Sequence, residues 1–330
     1  MPNVLITARY FAVDPEPVAL LRAHGCALMH TERDWTLGDG NVSEDHAIEL
    51  LQGVDAAIIS SLPLTPRVLD AAEGLRVIAI RGVGYDSVDI PAATARRIPV
   101  LVASGFTESV ADYTFGLMLA VARQVARADR IVRAGRWEVV VSSDIFGKTL
   151  GIVGLGRIGR AVARRARGFA MPLLATDVVR DEAFASEYGV TYLPLYELLA
   201  RADIVSINAP LSRDTRQLID AQALRAMKAT ALLINTARGG LIDEAALAAA
   251  LREQCIAGAG LDVFHEEPLE RNPFDGLENI VLSPHLAAYS REGLRETGLQ
   301  SARGIIAVLQ GGRPDPAALV NPEVYRPSRS

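Results

Sequence analysis

The chain has 330 residues, 50% of them hydrophobic and 22% charged, which fits two folded domains at about 100–200 residues each and excludes a disordered or collagen-like chain. Its 34 basic and 39 acidic residues leave a net charge of −5, so no broad basic face is available to neutralise nucleic-acid phosphates. The two cysteines, Cys26 and Cys255, cannot build a framework of disulfides and fit a reducing compartment.

The first residues, Met1-Pro2-Asn3-Val4-Leu5-Ile6-Thr7-Ala8-Arg9, carry no basic segment followed by a long apolar stretch, so no export signal is expected. Short apolar runs then alternate with helical patterns: Val4-Leu5-Ile6, Ala56-Ala57-Ile58-Ile59, Val77-Ile78-Ala79-Ile80 and Val100-Leu101-Val102 as strands, with helices over 15–24, 44–51, 66–72 and 91–97. Runs apolar on both faces with helices between them predict a parallel α/β sheet, and Pro, Ser or Thr opens several of the helices. The first hundred residues therefore read as one small α/β domain.

Residues 109–134 form a long apolar helical pattern ending at Gly135, read either as a core helix or as one partly buried against a second subunit. Within it the apolar stretch 113–122 is too short for the ~20 residues of a membrane span, so a soluble, cytoplasmic protein without a membrane partner is expected. Six further strands follow at 149–153, 173–176, 204–207, 231–234, 257–261 and 280–282, predicting a second α/β domain. A helix over 291–309 and a polar tail complete the chain, with no solenoid period or low-complexity stretch. No metal site is expected.

Gly154-Leu155-Gly156-Arg157-Ile158-Gly159 follows the apolar run Leu150-Gly151-Ile152-Val153 and opens a helix over 157–167. Such glycines allow a tight turn, let the backbone approach a pyrophosphate and let helix pack on strand, while the helix N-terminus offers free amides to the phosphates. The next strand ends at Asp177, where a carboxylate suits ribose hydroxyls and repels a 2′-phosphate, so NAD is expected in preference to NADP.

Three later segments put polar residues where apolar strands end: Asn235-Thr236-Ala237-Arg238-Gly239-Gly240, Asp262-Val263-Phe264-His265-Glu266-Glu267-Pro268 and Ser283-Pro284-His285. The carboxyl edge of an open α/β sheet is where ligands bind. Hydride exchange between a carbinol carbon and nicotinamide needs a proton shuttle, a task suited to histidine. A carboxylate would orient the imidazole, and an arginine would grip a substrate carboxylate with two parallel bonds. His285, Glu267 and Arg238 are the candidates. Taken singly, each also reads as an ordinary loop or surface residue.

The sequence resembles the D-isomer-specific 2-hydroxyacid dehydrogenases over nearly its whole length. The likeness rests on Arg81-Gly82-Val83-Gly84-Tyr85-Asp86-Ser87-Val88-Asp89, the 154–159 glycine loop, Ala209-Pro210-Leu211, the segment 235–243, Gly260-Leu261-Asp262-Val263, Glu267-Pro268 and Ser283-Pro284-His285. It implies an α/β fold of two doubly wound parallel-sheet domains, with a Rossmann NAD-binding domain of 104–288 inserted in a flavodoxin-like substrate domain of 1–103 and 289–330. It further implies His285 as acid and base, Glu267 as its partner and Arg238 on the substrate's carboxylate and carbonyl. Asp262 is expected at the nicotinamide end, with Gly154, Gly156, Arg157, Ile158, Gly159, Asp177, Asn208, Ala209, Pro210, Thr215, Thr236 and Ala237 around the rest of the cofactor. Amides near Val83 and Gly84 would hold the carboxylate of a small anionic 2-oxo or 2-hydroxy acid, and a homodimer built on the nucleotide domains is implied.

Some positions depart from the family pattern. Asp112 stands where Glu is usual, and Asn208 replaces a common His. Arg81 would contact an anionic group at the substrate's far end or be a solvent-facing charge; phosphoglycerate-type members carry their Arg one position earlier, at Ile80 here, which favours the solvent-facing reading. The chain ends soon after Val320-Asn321-Pro322, so the regulatory domain that some members append is not expected. Glu267 argues against a formate-oxidising relative, which has an amide there, and Val83 against a phosphite-oxidising one, which has Lys. An NAD-sensing binding protein resembling the C-terminal-binding corepressors is the alternative from another class.

Overall fold

The computed structural model describes residues 1–8, 10–30 and 42–326. Its contacts divide the chain into two compact units, Met1–Phe106 with Ala288–Ser330, and Thr107–Ala287.

In the first unit, β1 (Asn3–Ile6), β2 (Ala27–His30), β3 (Ala56–Ile59), β4 (Val77–Ile80) and β5 (Val100–Val102) form one parallel sheet in the order β2-β1-β3-β4-β5. β3 and β4 are buried at every position, as expected of strands covered by helices on both faces. The covering helices are α1 (Pro15–Ala23), α2 (Glu44–Leu50), α3 (Pro66–Ala71) and α4 (Ile90–Ala95). Asp14, Ser43, Thr65 and Asp89 accept hydrogen bonds from amides of their first turns, satisfying donors that a helix start leaves open. The strand order is that of flavodoxin-like sheets. β2 is absent from the sequence reading because a four-residue edge run after Gly25-Cys26 carries no distinctive period.

The second unit begins with α5 (Thr107–Ala122) and α6 (Val125–Arg133). The single helix expected over 109–134 is thus two, broken where Gln124 takes φ +50. No Gly or Pro marks that break, so the periodicity ran through it unseen. The sheet comprises β6 (Leu150–Val153), β7 (Leu173–Thr176), β8 (Val190–Tyr192), β9 (Ile204–Ile207), β10 (Leu232–Asn235), β11 (Gly258–Leu261) and β12 (Ile280–Leu282). All pairings are parallel, in the order β12-β11-β10-β9-β6-β7-β8. Seven strands replace the six expected, because the three-residue edge strand β8 is too short to show in the sequence.

Between these strands run α7 (Arg157–Ala166), α8 (Glu182–Tyr188), α9 (Leu195–Arg201), α10 (Ala221–Ala226) and α11 (Glu244–Arg252). The order reverses between β6 and β9, and such a switch point opens a crevice at the carboxyl ends of the strands. The chain returns to the first unit through α12 (Arg291–Leu309), whose Leu294, Leu299, Ala302, Ile305 and Ile306 form one buried face. Among the described residues, no helix is long and apolar enough to cross a membrane, and no cluster of His, Cys, Asp or Glu is arranged to hold a metal ion.

Candidate active site

The glycine loop lies between β6 and α7, at the switch point of the second sheet. Gly154 takes φ +92, and a Cβ there would stand 2.6 Å from the Ala209 amide nitrogen. At Gly159 a Cβ would meet the Gly154 carbonyl oxygen at 2.1 Å, whereas at Gly156 it would meet nothing within 4 Å. Two glycines are therefore required by close backbone packing, and the middle one leaves the open approach that a pyrophosphate needs. Asp177, at the end of β7, accepts from the Leu155 amide at 2.6 Å and from the Val179 amide at 3.0 Å, which aims its carboxylate at the loop.

Beyond β9, the Asn208 amide donates to the Val153 carbonyl at 2.7 Å, so Asn208-Ala209-Pro210 runs beside the loop. Asn208 Nδ2 donates to Ser206, and its Oδ1 is buried without a hydrogen-bond partner. Thr215 closes the following turn, its hydroxyl donating to the Pro210 carbonyl at 2.7 Å. Open space at Gly156, the buried Oδ1 of Asn208 and the first turn of α7 fit a dinucleotide.

After β10, the buried Asn235 side chain clamps its own loop: Oδ1 accepts from the Ala237 amide at 3.0 Å and Nδ2 donates to the Arg238 carbonyl at 2.9 Å. Thr236 sits beneath the loop with its hydroxyl 2.9 Å from that of Thr114. Thr114 already donates to the Val110 carbonyl at 2.7 Å, so Thr236 is the donor of that pair. Arg238 takes extended backbone, is half-buried, and donates from Nη1 to the Ala237 carbonyl at 2.8 Å. Gly239 follows because a Cβ would collide with the Phe264 carbonyl carbon at 1.9 Å. That close approach brings the loop after β10 against the loop after β11.

Asp262 follows β11 and is 0% exposed. One carboxylate oxygen accepts from the Ser283 hydroxyl at 2.6 Å and the Leu286 amide at 2.8 Å; the other accepts from the Ala287 amide at 2.8 Å. Its own carbonyl accepts from the His285 amide at 2.8 Å. Burial pushes its carboxyl pKa above the usual carboxylate range, against the opposing pull of these donors and the nearby His285. Asp262 is therefore the peg on which the 283–287 loop hangs. That peg fixes His285, which sits at φ +54, a left-handed conformation that costs a non-glycine residue about 1–3 kcal/mol unless its surroundings impose it.

His285 Nδ1 lies 2.7 Å from Glu267 Oε2. The other oxygen of Glu267 accepts from the Phe264 amide at 2.9 Å, so the carboxylate is held at both ends. Burial alone would raise its pKa, but the hydrogen bond and charge of His285, the Phe264 amide and the Arg238 guanidinium outweigh it and hold the carboxyl below its usual range. Arg238, Glu267 and His285 thus form one electrostatic group. Glu244 extends it, accepting from the His265 amide at 2.6 Å while Asp243 caps α11. The sequence gives no role to Asn235, although it opens the polar segment after β10, or to Glu244, which falls just beyond that segment.

The arrangement can hold a protonatable imidazole with one nitrogen tied to a carboxylate, beside a guanidinium able to bind an anion. A cavity of about 960 Å³ lies at the opposite, amino-terminal edge of this sheet, lined among others by Lys148, Asp203, Thr230 and Ala257, and none of these site residues lines it. Arg81, Val83 and Gly84 belong to the first unit, at the carboxyl end of β4, where all three are half-buried. The solvent-facing reading of Arg81 is corrected: its Nε is buried, and the guanidinium lies over the Tyr289 ring at 5.2 Å.

Comparison with known proteins places these features in context. The family model for the D-isomer specific 2-hydroxyacid dehydrogenase, NAD binding domain, matches residues 115–287. A glyoxylate reductase of Korarchaeum cryptofilum is 44% identical over 306 residues, covering 90% of this chain and 92% of its own. A crystal structure of a Thermus thermophilus protein superposes with a TM-score of 0.86 at 34% identity, covering 96% of this chain and 99% of that one. The D-lactate dehydrogenase of Aquifex aeolicus, solved with NAD and lactic acid, gives a TM-score of 0.83 at 26% identity over 97% of this chain and 99% of its own.

Proposed function

This chain belongs to the D-isomer specific 2-hydroxyacid dehydrogenases, and on that premise we propose that it interconverts a small anionic 2-oxo acid and its D-(R)-2-hydroxy acid, with NAD preferred to NADP. The observation that carries this reading is the 2.7 Å pairing of His285 with Glu267 on the sheet whose first strand feeds the glycine loop.

NADH, when bound, supplies the hydride that reduces the carbonyl carbon. The amides of Gly156, Arg157 and Ile158 hold its pyrophosphate, and Asp177 accepts from its ribose hydroxyls and repels a 2′-phosphate. Asn208, Ala209, Pro210, Thr215, Thr236 and Ala237 line its remaining length. Val83 and Gly84 amides hold the substrate carboxylate, and Arg238 binds the carboxylate and the carbonyl oxygen, stabilising the charge that gathers there.

His285 donates the proton from Nε2 to that oxygen, since Nδ1 is occupied by Glu267. Glu267 fixes the tautomer and turns the ring. In the oxidative direction the neutral imidazole takes the hydroxyl proton back. Asp262 holds the His285 loop in place beside the nicotinamide end. These roles assign 104–288 to the nucleotide and 1–103 with 289–330 to the substrate.

The proposed partner is a second copy of the chain. Trp137, Val139 and Val141 are 91%, 93% and 86% exposed, a run of apolar surface that a homodimer on the nucleotide domains would cover. The activity is tested by incubating the protein with NADH and pyruvate or hydroxypyruvate and resolving the product on a chiral column. The D enantiomer is expected; the L enantiomer, or no oxidation of NADH, contradicts the reading.

A further inference from the structure

The first unit contains a second arrangement that the proposed chemistry does not use. Arg81 leaves β4 at the carboxyl edge of its sheet, its amide donating to the Ile59 carbonyl at 2.8 Å. Tyr10 follows β1 on the same edge. The Arg81 guanidinium lies over the Tyr289 ring at 5.2 Å, and the Tyr10 and Tyr289 rings meet edge to face at 5.1 Å.

Arg81 Nε is buried with no hydrogen-bond partner. Burial pulls the guanidinium pKa down, and what opposes this is a charge interaction and a hydrogen bond with Tyr289 and a charge interaction with Tyr10, none of them with a carboxylate. Removing a guanidinium from water without a counter-charge is costly, and stacking on tyrosine offsets only part of that. An anion would complete the arrangement, and the fork of an arginine suits a planar or tetrahedral oxyanion.

Two and three residues on are Val83 and Gly84, whose amides donate no hydrogen bond among the described residues. Two to three residues of chain span at most about 7–11 Å, so the backbone of Arg81 and these amides stay within one small loop, within reach of a short acid that carries an anionic group at each end. Resting on the reading of Val83 and Gly84 as the carboxylate site, we propose that Arg81, stacked on Tyr289 and flanked by Tyr10, binds a second anionic group at the far end of the substrate. The preferred 2-oxo acid then carries a terminal carboxylate, phosphonate, sulfonate or phosphate rather than a hydrogen or a hydroxyl.

The test compares kcat/KM with NADH for glyoxylate and hydroxypyruvate against oxaloacetate, phosphonopyruvate, sulfopyruvate and 3-phosphohydroxypyruvate; the order within the second set identifies the anion. At least one doubly anionic acid is expected to exceed glyoxylate by about tenfold or more. In Arg81→Gln the ratio of its kcat/KM to that of glyoxylate should fall about a hundredfold, mostly through KM, and Arg81→Lys should recover part of it. Glyoxylate preferred over every doubly anionic acid overturns this inference alone, as does an Arg81→Gln variant that leaves the ratio unchanged. No turnover of any member by the unmodified protein overturns the underlying reading as well.

Discussion

Glu267 accepts two hydrogen bonds, from the Phe264 amide and from His285, and its carboxyl is held below the usual range. A carboxyl with a depressed folded-state pKa stabilises the fold above its unfolded value, about 4.3, and loses that contribution as pH falls through the lower folded value. The stability difference between the unmodified protein and Glu267→Gln should therefore be constant above about pH 5 and shrink on acidification, as read by urea unfolding at a series of pH values. A difference that grows on acidification would mean that Glu267 is not held ionised.

Asp262 has a larger structural task. Its replacement by Ala leaves the Ser283 hydroxyl and the Leu286 and Ala287 amides without their acceptor, at about 1–3 kcal/mol for each buried donor left unsatisfied. Urea unfolding should show a loss of about 3 kcal/mol or more. A loss below 1 kcal/mol would show that the 283–287 loop does not hang on this carboxylate.

That Arg238, Glu267 and His285 lie together could be expected from the sequence, because each follows an apolar run that ends at the same sheet edge. Asn235 and Ser283 stand in the polar segments after those runs without a role of their own, and Glu244 and Tyr289 stand outside them. Their importance lies in bonds or contacts to residues that the fold brings near, and no local spacing announces those.

At the scale of elements, most strands and helices could be read because buried parallel strands are short, uniformly apolar and punctuated by Pro, Gly and capping side chains. The failures share a physical cause: β2 and β8 are short edge strands, and the break at Gln124 uses φ +50 in a residue with no turn preference. The glycine loop was read for both its spacing and its following acid. Replacing Asp177 with Ala should remove the repulsion of a 2′-phosphate and raise kcat/KM with NADPH relative to NADH by about tenfold. An unchanged ratio would assign ribose recognition elsewhere. Replacing Gly239 with Ala should cost more than a surface change can, because its Cβ has no space beside Phe264. Thermal unfolding should fall by several degrees, as expected for overpacking of about 1–3 kcal/mol.

At the scale of the whole molecule, the order of the second sheet places the ends of β6, β7, β9, β10, β11 and β12 on one edge, so six separated sequence segments meet there. The exposed apolar run at Trp137, Val139 and Val141 predicts a dimer by sedimentation equilibrium. A Trp137→Glu, Val139→Glu variant should shift it toward monomer, and a monomeric unmodified protein would contradict the assembly.

In the proposed reaction His285 moves the proton while Glu267 holds the imidazole in place. The most direct measurement follows NADH absorbance during reduction of a turned-over 2-oxo acid by the unmodified protein and by His285→Ala, with NADH binding measured in parallel by fluorescence. Retained binding is expected, with a loss of kcat of about 10²–10⁴-fold, the usual worth of a positioned acid. Retained binding with normal turnover would contradict that role of His285.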